Sequence, residues 1–291
     1  LTNSLFCFGF GYTAAALARR LRREDFACAG ATRSEENAAA MKADGVDAAL
    51  WDGGAFDAAA LENATHILIS TPPDGAGCPT FRTARNAVAK RGENLKWLGY
   101  LSTNGVYGDH GGAWVDEDSG LRPSSDRARR RIRAEADWAG LAVEWALPLI
   151  VFRLPGIYGP GRSALDQVRA GKAKRVYKEG QVFSRMHVDD IAAALAASMK
   201  RPRRHDIYNL ADDEPAPPRD VVEYACKLLG VEPPPLVAFE EADLSPMARS
   251  FYADNKRVSN RRMKSALAIT LQYPNYRAGL DAIFKSETQP G

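Results

Sequence analysis

The feature that most constrains this chain is its opening stretch, Leu5 to Arg33, which reads LFCFGFGYTAAALARRLRREDFACAGATR. An apolar run from Leu5 to Phe8 meets Gly9-Phe10-Gly11-Tyr12-Thr13-Ala14. A helical pattern with Leu17 and Leu21 follows, and Phe26 to Ala31 is a second short apolar run. Strand, glycine turn, helix and strand within about 30 residues is the context that gives a GxGxxG/A pattern its meaning. Gly9 lets the backbone turn tightly. Gly11 lacks the Cβ that would keep a pyrophosphate away from the unpaired N–H groups of the helix N-terminus. Ala14 stands in for the third glycine and still permits close packing of helix on strand. The stretch therefore predicts a dinucleotide-binding turn with Gly9, Phe10, Gly11, Tyr12 and Thr13 at the cofactor. Small residues also occupy such turns for structural reasons alone, and the flanking elements carry the distinction.

Thr32-Arg33-Ser34 lies just past the second strand, where NAD-preferring folds place an acidic residue on the ribose 2′-hydroxyl. A guanidinium instead suits a 2′-phosphate, through charge-assisted bonds of about 1.5–3 kcal/mol. Arg33 and Ser34 thus point to NADP as the cofactor, with NAD possible; a solvated arginine opening a loop is the plainer alternative. Val46 to Trp51 reads as a third strand, followed by an acidic loop around Asp52 and Asp57. His66 to Ser70 is a fourth strand, ending in Thr71-Pro72-Pro73. Ligands bind at the C-terminal edge of a parallel sheet, which puts Ser70 and Thr71 at the cofactor, although the prolines also simply stop the strand. Phe81 to Lys90 reads as a crossover helix. Alternating apolar runs and helical patterns predict an α/β fold, a doubly wound parallel sheet.

At 291 residues the chain can bury a large core, as one α/β unit or as a main domain with a smaller companion. Its 39 basic and 36 acidic residues leave a net charge of +3, too balanced to argue for a nucleic-acid partner. Cys7, Cys28, Cys78 and Cys226 are scattered without a CxxC, and read as core hydrophobes rather than a disulfide framework. The longest apolar candidate, Leu141 to Phe152, is too short to span a bilayer and contains Glu144 and Pro148. No signal peptide is visible. The expectation is a cytoplasmic protein without a membrane partner.

The fifth strand leads into Trp97-Leu98-Gly99-Tyr100-Leu101-Ser102-Thr103-Asn104-Gly105-Val106-Tyr107-Gly108. Further on stand Arg153-Leu154-Pro155-Gly156-Ile157-Tyr158-Gly159-Pro160-Gly161, His187-Val188-Asp189-Asp190 and Tyr208-Asn209-Leu210. In these segments the chain resembles the extended short-chain dehydrogenase/reductases, the NAD(P)-dependent epimerase/dehydratase group. They match its S-[ST]-x-x-V-Y-G, R-x-x-x-x-Y-G-P-G, H-V-x-D and Y-N-[VL] motifs in order, over nearly the whole chain. The resemblance implies a Rossmann fold, a nicotinamide cofactor near Ser102, and a Thr103 that hydrogen-bonds the reacting hydroxyl or carbonyl. It also implies a small-molecule substrate of nucleotide-sugar type and homodimerisation through helices flanking the sheet. Asn104-Gly105 replaces the Asp-Glu pair of the group's dehydratases and argues against that chemistry.

The group's reaction also uses a Tyr with a Lys four residues later, on the helix after strand five. The lysine lowers the phenol's pKa so that it exchanges a proton near neutrality. No tyrosine occurs here between Tyr107 and Tyr158, and no lysine between Lys96 and Lys172. Family spacing places Arg127 at the tyrosine and Arg131 at the lysine. Arg131 retains the positive charge to hold ribose hydroxyls, but a guanidinium does not shuttle protons. The run of arginines from Arg127 to Arg133 reads as a solvated helix face or as a grip on phosphate or carboxylate. Tyr107 is the nearest remaining phenol and the candidate substitute acid. Tyr252 and Lys256 share the YxxxK spacing but lie far away in sequence.

After a sixth strand, Leu149 to Arg153, residues 156–185 leave toward the substrate side with Arg162, Lys172, Lys174, Arg175 and Arg185. By resemblance, Arg162 and Arg185 would hold a nucleotide-sugar's diphosphate there; solvated loop charges are the alternative. His187 has no second histidine at ligand spacing, so no metal is expected. Val188 to Met199 reads as a helix, and Val221 to Leu229, ending at Gly230, as another. The expected organisation is a dinucleotide-binding domain over 1–210 and a small, mostly helical substrate-side domain over 211–291. Two functions follow: hydride transfer on a polar carbonyl or alcohol with a non-standard acid/base, or a cofactor-binding module that senses NADP(H) or docks a partner without catalysis.

Overall fold

The structure, a computed structural model, describes residues 3–201 and 206–288. Strand β1 (Ser4–Phe8) enters the glycine turn and α1 (Tyr12–Arg22), then β2 (Ala27–Thr32), α2 (Glu35–Ala43) and β3 (Asp47–Leu50). Strand β4 (His66–Ile69), α3 (Pro79–Ala89) and β5 (Trp97–Thr103) follow. A short β6 (Trp114–Val115) precedes the long α4 (Asp126–Glu144) and β7 (Leu149–Leu154). Next come β8 (Gly156–Tyr158), α5 (Ala164–Arg169), β9 (Arg175–Tyr177), β10 (Arg185–His187), α6 (Val188–Lys200) and β11 (Asp206–Asn209). The chain ends with α7 (Pro218–Leu229), β12 (Leu236–Ala238), α8 (Pro246–Phe251), β13 (Arg257–Val258), α9 (Arg261–Leu267) and α10 (Tyr276–Thr288).

Seven strands form one parallel sheet in the order β11-β7-β5-β4-β1-β2-β3. The order reverses direction at β1, so a crevice opens between the C-terminal ends of β1 and β4, the position where doubly wound sheets bind ligands. Both faces are covered, which is why the central strands are apolar throughout rather than alternating. On one face, Leu17 and Leu21 of α1 and Ile191 and Leu195 of α6 pack over Leu5, Cys7 and Leu68. On the other, Val88 of α3 and Trp138 of α4 cover Phe6, Ile67, Leu98 and Tyr100. Each such buried side chain contributes about 1.5–3 kcal/mol. All four cysteines are buried free thiols.

The predicted helix at Phe81 begins two residues earlier because Pro79 sits in its first turn, where a missing N–H costs nothing. The helix predicted from Val221 likewise starts at Pro218, and it stops at Gly230 in the left-handed conformation. The segments after residue 210 are interleaved with earlier ones. Strand β12 pairs with β9 and β13 with β6, both in parallel. Helices α7 and α10 bury Ala225, Leu280 and Ile283 against Tyr158 and Leu165, while Met263 and Leu267 of α9 join the core beside α6.

Candidate cofactor and active site

At the β1–α1 turn, Gly9 adopts φ +80°, and a Cβ there would stand 3.1 Å from Thr71 Cγ2 and 3.2 Å from its amide nitrogen. Only glycine suits both constraints. Gly11 is different: its φ of −107° is open to any residue, and a Cβ on it would meet nothing within 4 Å. Space is thus kept in front of α1. That helix has no side-chain cap among the described residues and no acid in its first turn, so its first amides and its positive dipole end remain available to an anion. Phe10 donates its N–H to Ala31 O (2.9 Å) and lies over Gly30, where a Cβ would stand 2.7 Å from the ring. Thr13 and Ala14 are buried beneath the helix.

Across the crevice, Ser70 and Thr71 are half-buried at the end of β4, and Thr71 Oγ1 shares a 2.7 Å hydrogen bond with Thr80 Oγ1. Ser34 caps α2 by accepting from Asn37 N (3.2 Å). Arg33 is exposed, with no hydrogen-bond or ion-pair partner among the described residues, at the end of the strand next to β1.

Thr103 ends β5 half-buried, and its Oγ1 accepts from Gly105 N (3.1 Å), which leaves the hydroxyl proton free to donate. Behind it runs a buried polar chain. Ser102 Oγ bonds Glu135, whose carboxylate pairs with Arg153 at 2.8 Å. Arg153 Nη1 donates to Tyr107 Oη (3.0 Å), and Tyr107 donates to Asn209 Oδ1 (2.7 Å). Glu117 closes the chain by accepting from Asn209 N (2.7 Å). Tyr107 is 0% exposed. Burial raises its phenol pKa, outweighing the lowering by Arg153. That placement removes Tyr107 from the surface where a substitute acid would have to stand.

Helix α4 puts Arg131 and Glu135 one turn apart on one face, and both reach β5. Arg131 Nη1 donates to Leu101 O (2.7 Å) and lies within 3.2 Å of Tyr100 Oη. Arg127, one turn nearer the sheet's C-terminal edge, is exposed and rests 5.4 Å above the Phe251 ring of α8. Tyr252 and Lys256 share no helix, because α8 stops at Phe251. Tyr252 stacks on Phe239 at 5.0 Å, and Lys256 Nζ donates to Gly108 O at 2.9 Å.

Toward the C-terminal lobe, Arg162 is exposed and lies 5.7 Å over the Tyr12 ring. Arg185 is enclosed instead. It donates to Ala216 O (3.2 Å) and lies over Tyr276 at 5.6 Å, and its buried Nη1 has no partner among the described residues. Nearby Asp212 has its carboxyl pushed up to about 8 by burial, with Arg185 pulling the other way. A cavity of about 430 Å³ opens beside β9, lined among others by Tyr177, Lys178, Arg219 and Arg257. His187 serves as the N-cap of α6, accepting from Asp189 N, and the described residues contain no cluster of metal-ligand type. No described helix is long and apolar enough to cross a membrane.

Glu135 and Glu117, which the buried polar chain engages, belong to none of the sequence motifs. The four-residue spacing from Arg131 to Glu135 was the available signal for the first.

The sheet order, the crevice and the open glycine turn define a protein of the dinucleotide-binding Rossmann class. Residues 83–211 match the model of the NAD dependent epimerase/dehydratase family, in line with the resemblance carried by the motifs of those segments. It is similar to the solved structure of a functionally unknown conserved protein from Silicibacter pomeroyi, at 48% identity and TM-score 0.91, covering 97% of this chain and 98% of the other. The UDP-glucuronic acid 4-epimerase of Bacillus cereus, solved with NAD, shares the fold at TM-score 0.80 and 15% identity, covering 98% and 99%. Among curated proteins, the dTDP-L-rhamnose 4-epimerase of Burkholderia thailandensis is 23% identical over 264 residues, which is 70% of this chain and 72% of that protein.

Proposed function

We propose that this protein binds a nicotinamide dinucleotide at the β1–α1 turn, prefers the 2′-phosphorylated form, and exchanges hydride with a polar carbonyl or alcohol substrate. The observation that carries the reading is the unobstructed approach to α1 at Gly11, in front of amides that no side chain caps. The NAD bound to solved relatives of the same fold supports the choice of cofactor. Arg33, cationic and unpaired, suits a 2′-phosphate. The bound dinucleotide would supply the hydride donor or acceptor.

The chain's own residues then have three tasks. Thr103 directs its free hydroxyl proton at the substrate oxygen. Arg131, held against Leu101 O, keeps positive charge at the end of β5. The cationic cavity beside β9 suits the diphosphate of a nucleotide-sugar, like those bound by relatives solved with UDP-glucose and UDP-glucuronic acid. With no tyrosine on α4, water reaching the half-buried Thr103 would have to exchange the proton with the substrate oxygen.

One observation favours a second reading, a module that binds NADP(H) without turnover. The phenol that could have replaced the missing acid is locked between Arg153 and Asn209. Calorimetry with NADPH and NAD tests the shared part, and the absence of binding by either at millimolar concentration would overturn both. Turnover across a panel of nucleotide-sugars and simpler ketones separates them. In the enzyme reading, Thr103→Val lowers turnover about a hundredfold or more at unchanged NADPH affinity; intact turnover would show that Thr103 is not at the reacting atoms.

A further inference from the structure

The turn Gly159-Pro160-Gly161-Arg162 is closed by an antiparallel bridge between Gly159 and Arg162, with Gly161 at φ +71°. Proline followed by a glycine of positive φ is the signature of a tight turn that holds its ends in register. This turn is seated on the cofactor loop. Tyr12, the first residue of α1, donates its hydroxyl to Pro160 O at 3.0 Å, and a Cβ on Gly159 would run into that hydroxyl. The Arg162 guanidinium consequently lies 5.7 Å over the Tyr12 ring, beside the uncapped end of α1.

Arg162 has no ion-pair partner among the described residues. Two acids also reach Tyr12 with their charge, Asp166 and Asp189, and neither forms an ion pair with Arg162 among the described residues. Asp166 accepts from Ser163 N (2.7 Å) and Oγ (2.6 Å) in a capping box, and Asp189 lies 3.7 Å from His187 Nδ1. Arg19 is a further cation on the same side.

We propose that Arg162 binds the pyrophosphate of the dinucleotide, closing over it opposite the amides of α1, and does not serve the substrate's diphosphate. The inference rests on the dinucleotide reading above. A guanidinium fork matches two phosphate oxygens, and an aromatic platform holds the cation in place before the ligand arrives. The substrate-side turn and the cofactor loop are thereby joined through one ligand group.

Calorimetry with NADPH on the wild-type chain, Arg162→Leu and Arg162→Lys tests it, with UDP as a separate probe. Arg162 is exposed, so the fold tolerates both changes. The expected result is a NADPH affinity lower by about tenfold or more in the leucine variant, less in the lysine variant, and any UDP affinity unchanged. NADPH affinity equal in wild type and Arg162→Leu would overturn the clamp while leaving the dinucleotide site standing. A wild-type chain that binds no dinucleotide would remove both.

Discussion

The β1–α1 turn offers backbone to its ligand, whereas the N-terminal half of α4 offers side chains, most of them already engaged. In the turn, the groups proposed to receive the dinucleotide are amides of α1 and the empty space at Gly11, and no side chain must be retained beyond the steric demand at Gly9. On α4, Arg131 is tied to Leu101 O and Glu135 to Ser102 and Arg153, in the stretch where the family's tyrosine and lysine belong. A site made of backbone persists as long as the fold does. A site made of exposed side chains can be lost by substitution while the fold remains. The contrast explains how this chain keeps the marks of a cofactor fold while lacking the family's acid/base pair.

The largest expected effect breaks the side-chain half. Arg153→Met leaves Glu135 buried and uncompensated and should cost about 3–5 kcal/mol of stability in denaturant unfolding. A loss below about 1 kcal/mol would show that the buried chain behind Thr103 is dispensable. The backbone half should respond in the opposite manner. Gly11→Asp adds a good helix cap at a backbone angle that aspartate readily adopts, so stability should hold or rise. The new carboxylate occupies the α1 amides and repels the pyrophosphate, lowering NADPH affinity about a hundredfold. Retained affinity in that variant would place the dinucleotide elsewhere.

A smaller effect is expected at Arg33. Exchange for aspartate should shift preference toward NAD by about tenfold, read as the ratio of the two dissociation constants. The smallest is a slope. With its folded pKa raised to about 8, Asp212 holds its proton in the folded state across a range where the unfolded chain has lost it. Its contribution to stability is full below the ordinary carboxyl range, near pH 4, and is lost as pH rises through about 8. Asp212→Asn should therefore flatten the decline in unfolding midpoint between about pH 5 and about pH 8.5. Identical slopes in both proteins would mean that Asp212 is ionised in the folded chain.

Much of the scaffold was legible in the sequence because the signals are local. The short apolar runs of the strands, the glycine turn, and Gly230 ending α7 each depend on residues close together. The segment from Ser102 likewise stands at the end of β5, and the sixth strand read over Leu149 to Arg153 is β7, one residue longer. What escaped was the destination of polar atoms. Nothing near Tyr107 in the sequence indicates that its hydroxyl meets Arg153 and Asn209, residues 46 and 102 positions away. Arg162 and Arg185 read alike as basic residues on one segment, yet one stands exposed on Tyr12 and the other is enclosed against Tyr276. The short pairs β6–β13 and β9–β12 were likewise out of reach, because two- and three-residue strands carry no period to read.

The pairing of β13 with β6 has a bearing on how the protein comes into being. The loop that carries Glu117 is held by Arg257 and Ser259, whose amides bond Ala113 O and Val115 O, so its partner is made more than a hundred residues later. During synthesis the crevice between β1 and β4 has all its strands well before the ribosome delivers that partner. The corner around Thr103 must wait for the tail, and a chain cut short before Arg257 would keep the sheet and its crevice while leaving that corner unfinished.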